Sequence, residues 1–257
     1  MRRAPDHAGR VRPAHARVAL VAIAFVLIPA VATPPGLRAQ DADSVRITTD
    51  LGLVNASGNT NLTTFNVGEE LLATMGPWGL KQTFGVVRGE SDGETTASLW
   101  RASVRGNRSI DGRLGVYLIG AFDRNRFAGI SRRFEEGAGV VVRAVRTDEH
   151  LGELEAGAGL TQQRSTTGDD DSFASARGAA TYRWSFRDAS HAQIGAEVLP
   201  NLEESDDLRV NAAADLVAPL ARALALKVSY VVRYDNLPES GFRKTDRVFT
   251  TGLQITF

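Results

Sequence analysis

The sequence contains no cysteine, which excludes disulfide cross-links and thiolate chemistry at a metal or catalytic site. Its 30 Lys and Arg residues are balanced by 30 Asp and Glu residues, so the basic excess of a nucleic-acid-binding protein is missing. Beyond residue 32, no apolar run approaches the roughly 20 residues that a membrane-spanning helix needs. Apolar residues nevertheless make up 43% of the chain, which is too many for a disordered protein.

The first forty residues predict a secretory signal peptide. Arg2, Arg3 and Arg10 precede an apolar run at 18–32, and small residues follow up to Gln40. A basic segment, a short apolar segment and a small-residue exit are typical of such a peptide. A membrane anchor is the alternative, but the run is shorter than a spanning helix. We therefore expect a signal peptide over 1–40 and an exported domain over 41–257.

The exported domain alternates apolar and polar residues with a period of two, which indicates strands with unlike faces. In the stretch 224–235, for example, Leu226 and Val228 alternate with Lys227 and Ser229. Turn-forming residues interrupt this pattern at regular intervals and leave about twelve strands. The predicted breaks are 56–60, 76–79, 90–95, 108–112, 125–132, 147–150, 165–172, 188–191, 203–207, 218–221 and 236–245.

Short breaks alternate with longer polar ones, which is the asymmetry of outer-membrane barrels, with tight periplasmic turns and longer outer loops. Aromatic residues such as Trp78 and Phe257 lie near strand ends, as in interfacial girdles. We therefore predict an all-β fold, a closed antiparallel transmembrane β-barrel with apolar side chains toward lipid. Glu69 and Gln82 fall on the lipid face of this assignment, where a bulge or a rim position would accommodate them.

The final strand, 251–257, alternates and ends on Phe257. It resembles the C-terminal signal through which the barrel-assembly machinery recognises bacterial outer-membrane barrels. That resemblance makes the assembly machinery an expected partner.

Two further segments carry a family resemblance. They are Leu51–Asn61, which reads LGLVNASGNTN, and Asp123–Arg133, which reads DRNRFAGISRR, with Gly137-Ala138-Gly139 just beyond. They resemble the bacterial family called domain of unknown function 481, whose members include a salt-induced outer-membrane protein. The resemblance implies a porin-like outer-membrane barrel in a Gram-negative bacterium and supplies no catalytic residues.

The lumen-facing positions carry charges of both signs, and they are the main candidate site. They favour either a narrow polar path that selects among solutes or a self-neutralising network that fills a small lumen; both interpretations stay open. The members are Arg101, Arg105, Arg143, Arg183, Arg209, Arg233, Asp50, Glu70, Asp123, Glu153, Glu155, Glu197 and Asp215.

Other candidate sites are weaker. His150 and His191 lie in predicted turns with nothing adjacent to complete a catalytic site, and the sequence contains no cofactor or metal signature. Arg126, Arg132 and Arg133 lie in a predicted outer loop, where guanidinium groups suit lipopolysaccharide phosphates. Outer-membrane lipid and lipopolysaccharide are therefore expected partners, and nucleic acid is not.

The sequence thus predicts a non-enzymatic outer-membrane barrel, structural or a narrow polar-lumen channel. A link to envelope or osmotic stress comes from the family resemblance alone. A lipid- or peptide-modifying barrel enzyme and a soluble periplasmic β-barrel remain as alternatives.

Overall fold

A computed structural model describes residues 44–57, 62–91, 94–187 and 190–257. The predicted signal peptide lies outside these ranges. Within them, the only helix is a 3-10 turn at Arg126–Ala128, and no helix is long and apolar enough to cross a bilayer. The strands are β1 Ser44–Ser57, β2 Leu62–Met75, β3 Trp78–Ser91, β4 Glu94–Ser109, β5 Leu114–Asn125, β6 Ile130–Arg146, β7 His150–Ser165, β8 Asp170–Arg187, β9 Ser190–Pro200, β10 Leu208–Ala221, β11 Leu224–Asp235 and β12 Thr245–Thr256.

The described strands pair with their sequence neighbours, all antiparallel, and β1 pairs with β12 to close the barrel. The seam runs from Thr48 opposite Thr256 to Ser57 opposite Arg247. Closure leaves no free edge, so the ladders can satisfy the backbone groups without water. The predicted closed antiparallel barrel is confirmed.

The connections differ at the two ends of the barrel. One end, the turn end, carries tight connections such as Gly76-Pro77 and 222–223, whereas the other, the loop end, carries 201–207 and 236–244. The predicted break at 218–221 is wrong, because β10 continues to Ala221 through a register shift between Pro219 and Ala221. A proline cannot donate a ladder hydrogen bond, and the bulge lets the strand continue past it.

The two faces of the wall have opposite polarity. Outward side chains include Leu118, which is 68% exposed, and Leu154, which is 53% exposed. Arg209 is 6% exposed, and it reaches from β10 to Glu135 on β6, a contact that only an inward side chain can make. Residues Leu226 and Val228 share the outward face of β11, opposite in phase to Lys227, which pairs with Asp50.

Glu69 and Gln82 also lie on the outward face, and the expected bulge is absent. The ladder between β2 and β3 runs without a register shift and places Glu69 opposite Phe84 and Gln82 opposite Leu71. Nothing in the structure explains these two polar residues.

The polarity of the wall predicts different costs for adjacent arginine substitutions on β11. Val228→Arg puts a charge on the outward face and should lower the free energy of unfolding in phospholipid vesicles by about 2–4 kcal/mol. Ser229→Arg is the matched control, because Ser229 faces the lumen with Asp215 opposite it on β10. Equal losses in denaturant titrations of the two variants would contradict the assignment of the faces.

Candidate functional site in the barrel interior

The thirteen predicted lumen residues all lie on inward positions of their strands. Three ion pairs join members of that set: Arg101 to Asp123 (3.2 Å), Arg105 to Glu155 (2.8 Å) and Arg143 to Glu153 (3.2 Å). Arg183 instead donates to Gln193 (2.9 Å). The register places Asp215 opposite Gln193 on β9 and Ser229 on β11.

Four of the remaining predicted residues pair with charges outside the predicted set, and the fifth, Arg233, lies opposite Asp246 in the register. Lys81 pairs with Glu70 (2.7 Å), Lys227 with Asp50 (2.6 Å), Arg177 with Glu197 (3.0 Å) and Glu135 with Arg209 (2.5 Å). The alternation along each strand could have identified two of these charges, because Glu135 is in phase with Arg143 on β6 and Arg177 is in phase with Arg183 on β8.

Arg133 corrects one part of the lipopolysaccharide prediction. It lies within β6, not in a loop, and its guanidinium group donates from inside the barrel to Gln163 Oε1 (2.9 and 2.7 Å). Arg132 also lies within β6, so its predicted loop position is wrong as well; it has the opposite phase and lies near Asp170 (3.8 Å). Contact of Arg126 and Arg132 with lipopolysaccharide stays a prediction.

Tyr117 is the centre of an interior cluster that projects from one side of the wall. Its side chain is 3% exposed. The guanidinium carbon of Arg105 lies 4.1 Å from the ring centroid, and Arg177 donates to the phenolic oxygen (3.0 Å). Both arginines meet on Glu155. Stacking and charge-assisted hydrogen bonds thus hold side chains from four strands together. We call this group the Tyr117 cluster; its members are Arg105, Tyr117, Glu155 and Arg177.

Glycines on β6 and β7 make room for the Tyr117 ring. The ring extends from β5 across the inward faces of both strands to reach Arg177 on β8. A Cβ atom at Gly139 or at Gly157 would lie 2.6 Å from the Tyr117 hydroxyl oxygen. The glycines therefore permit the cluster, which a strand carrying side chains there would exclude.

Replacing Gly157 should displace both the Tyr117 ring and the β6 backbone, because a Cβ atom there would lie 2.6 Å from the Tyr117 hydroxyl oxygen and 2.5 Å from the Ala138 carbonyl oxygen. Gly157→Ala should lower the free energy of unfolding by about 1–3 kcal/mol, the usual range for overpacking. Gly195→Ala on β9 is the control, because its Cβ would meet nothing nearer than Thr181 Oγ1 at 3.6 Å. Similar denaturation midpoints for both variants would contradict this account.

A cavity of about 250 Å³ lies between the Tyr117 cluster and the loop end. Six arginines line it, including Arg177 of the Tyr117 cluster and Arg243 of the β11–β12 loop. The other four come from four different strands, and we call them the arginine cluster: Arg101, Arg133, Arg209 and Arg233. Asp123, 9% exposed, lies beside them, and so does Glu135.

The β11–β12 loop, 236–244, reaches across the mouth of the barrel. At its base, Asp235 donates its N–H to Lys244 (2.8 Å), and Asn236 Nδ2 donates to the Asp206 carbonyl (2.9 Å). At its tip, Glu239 and Phe242 contact Gly129, which has a φ of +75°. Gly129 follows β5, six strands away around the barrel. The loop therefore covers the cavity, and Pro238, Arg243 and Lys244 line it from above.

The tip of this loop should respond to pH. Burial raises the pKa of the Glu239 carboxyl; Asp169, Asp235 and Asp171 act in the same direction, and Arg133 opposes them. A raised pKa means that the closed loop favours the protonated form. Closure should therefore be strongest below the ordinary pKa of 4.5 and weaken as the pH rises through the raised value.

A spin label can test this pH dependence. Because the chain has no native cysteine, a label at Ser240→Cys reports on the loop alone. We expect the label to gain mobility as the pH rises above the ordinary Glu value of 4.5, because the carboxyl of the closed loop then loses its proton. Glu239→Gln in the same background should remove the change, and an unaltered pH response in that variant would contradict the role of Glu239.

The two histidines occupy different faces. His150 Nδ1 and the Tyr182 hydroxyl share a hydrogen bond (2.7 Å) on the outward face at the turn end, where the Trp184 ring stacks nearby. His191 faces inward, with Ser185 opposite it on β8 and Val217 on β10. Among the described residues, no group of three or more His, Cys, Asp or Glu side chains is arranged to hold a metal ion.

The C-terminal residue completes the seam. Phe257 donates its N–H to the Ile47 carbonyl (2.9 Å) and accepts from the Ile47 N–H (3.2 Å), while 75% of the residue is exposed. Recognition of this end by the assembly machinery stays a prediction.

A protein-family model described as "Protein of unknown function, DUF481" matches residues 49–257. The chain belongs to the DUF481 family. This match confirms the resemblance carried by 51–61 and 123–133. No curated protein matches this DUF481 sequence.

Solved structures place this DUF481 barrel among porin folds. The NanC porin matches with a TM-score of 0.55 and 9% identity, over 80% of this chain and 98% of the porin. The KdgM porin in complex with disordered oligogalacturonate gives 0.47 and 9%, over 82% and 99%. An anion-selective porin from Comamonas acidovorans gives 0.40 and 8%, over 84% and 99%. The likeness to NanC shows a shared fold and, at this identity, no more than the fold.

Proposed function

We propose that this DUF481 protein is a non-enzymatic bacterial outer-membrane channel with a narrow, polar lumen for small solutes. The inverted polarity of the wall supports this proposal above all. Leucines such as Leu118 and Leu154 are more than half exposed outside, while ion pairs cross the inside. A soluble barrel would hold its apolar side chains inside, so apolar side chains on the outer face favour a lipid environment.

The exposure of the interior ion pairs supports a narrow path that water enters. At the turn end, the Lys81 and Glu70 side chains are 42% and 35% exposed. In the Tyr117 cluster, Arg105 and Glu155 are only 15% and 10% exposed. The interior is therefore wetter at the turn end than around Tyr117, where the side chains pack closely.

The two alternatives receive less support. His150 is bonded to Tyr182 outside the barrel, away from any lumen substrate. The enzyme hypothesis then depends on His191 and Ser185, which lie opposite each other on β9 and β8. A serine and a histidine alone do not make an efficient hydrolytic site, because a carboxylate is needed to orient the imidazole. The stress link that the family resemblance implied finds no support in the comparisons, and it is not part of the proposal.

Single-channel recording in planar bilayers tests the proposal. The wild-type protein should give small conductance steps, because the Tyr117 cluster narrows the lumen. Tyr117→Ala removes the ring that the two arginines contact, and it should increase the step size at equal salt. Large porin-like steps from the wild-type protein, or no steps from either protein, would contradict a narrow channel.

Tyr182→Ala is a suitable control for that experiment. It removes an aromatic ring of the same type from the outward face, where Tyr182 contacts His150. Its conductance should equal that of the wild-type protein. An increase in both variants would mean that the effect arises from a loosened wall and not from a wider lumen.

A further inference from the structure

The arginine cluster brings four guanidinium groups to one level of the lumen. Arg101 extends from β4, Arg133 from β6, Arg209 from β10 and Arg233 from β11, and all four line the same cavity. The cluster thus surrounds the cavity from opposite sides of the barrel, because β4 and β10 lie six strands apart.

Four carboxylates lie at this level. Asp123 accepts from Arg101 (3.2 Å), and Glu135 accepts from Arg209 (2.5 Å). The register places Asp235 opposite Arg209 and Asp246 opposite Arg233. Arg133 donates two hydrogen bonds to the neutral Gln163 side chain. The arginine cluster therefore faces four carboxylates, and any positive excess must come from other cations that line the cavity.

Hydrogen-bond donors in the cluster are also left without acceptors. The Nε atoms of Arg209 and Arg233 are buried and have no partner. A buried donor that makes no hydrogen bond is costly, and more so when it is charged. An anion in the cavity would supply both the missing acceptors and the missing negative charge.

The loop above the cavity adds two more cations. Arg243 and Lys244 line the cavity from the β11–β12 loop, and Arg177 lines it together with Glu197. Across the whole lining, seven cationic side chains face the five inward carboxylates Asp123, Glu135, Glu197, Asp235 and Asp246, so positive charge is in excess, and the loop contributes it. A volume of about 250 Å³ is near the small end of ligand pockets and suits a small solute.

We propose that this covered chamber binds a small anion that carries two or more carboxylate or phosphoryl groups. Guanidinium groups form paired hydrogen bonds with both kinds of group, and several guanidiniums facing one cavity favour multiple charges on the ligand. The inference deepens the proposed function, since it names the solute class that the lumen would take up.

Calorimetric titration of the purified protein in neutral detergent tests the chamber without requiring conduction. Citrate serves as the carboxylate probe and pyrophosphate as the phosphoryl probe, since each carries at least two of the proposed groups. Binding of either probe should weaken as KCl is added, because salt screens the attraction. The probe that binds more tightly identifies the preferred group.

Variants assign the binding to the arginine cluster. Arg233→Gln and Arg243→Gln should each weaken binding about tenfold or more, the loss expected for one charge-assisted contact. Arg243 lies in a loop, so its variant tests the site even where Arg233→Gln disturbs folding, which circular dichroism would reveal. Arg46→Gln is the control, because Arg46 occupies an inward position of β1 at the turn end, far from the cavity.

The outcomes separate this inference from the proposed channel. Absence of citrate and pyrophosphate binding, or an equal loss in Arg46→Gln, would overturn the chamber even where conductance steps are recorded. Probe binding that depends on Arg233 and Arg243 would support the chamber, and it would still do so for a protein that shows no steps, in which case only the channel proposal fails.

Discussion

Closure of the sheet by the hydrogen bonds between β1 and β12 is the constraint on which the rest of the structure depends. In a bilayer, an open edge would leave a row of backbone donors and acceptors without partners, at a cost of several kcal/mol for each group. Once the seam is fixed, the phase of every strand is fixed with it, because each strand alternates between the two faces. The positions of Arg209 inside and Leu118 outside are therefore consequences of one register.

The same closure requires the interior charges to pair. An isolated charge in a narrow lumen loses much of its hydration, so each inward arginine needs a carboxylate or another acceptor within reach. Lys227 reaches Asp50 on β1, beyond the intervening β12, and Arg177 reaches Glu155 on the neighbouring β7. These bonds tie strands to one another above the backbone ladder. Tyr117 reaches Arg177 across two intervening strands because Gly139 and Gly157 leave the inward faces of those strands without side chains.

The sequence predicts much of this fold, because alternation and turn residues are local signals. The strand count and the inward phase of residues such as Arg101 and Glu155 follow from them. The turn predicted at Pro219 is wrong, because a bulge allows β10 to continue past the proline. Arg133 was predicted to lie in a loop because polar residues flank Gly129. The turn at Gly129 is shorter than those residues suggest, and β6 begins at Ile130. Pairs such as Lys227 with Asp50 could not be predicted from the sequence, because contact between the two ends of a chain depends on how the barrel closes.

Charge balance changes along the lumen, and this change bears on what the barrel could select. In the Tyr117 cluster, two arginines share Glu155, and Glu197 takes a further bond from Arg177, so the narrowest level is locally neutral. One level toward the loop end, the arginine cluster faces Asp123, Glu135, Asp235 and Asp246, and the added cations Arg243 and Lys244 leave the cavity with an excess of positive charge. A solute from the loop end would meet the excess charge before the constriction. Electrostatic attraction would then act where the lumen is wide enough to bind an ion, and the neutral constriction would discriminate by size.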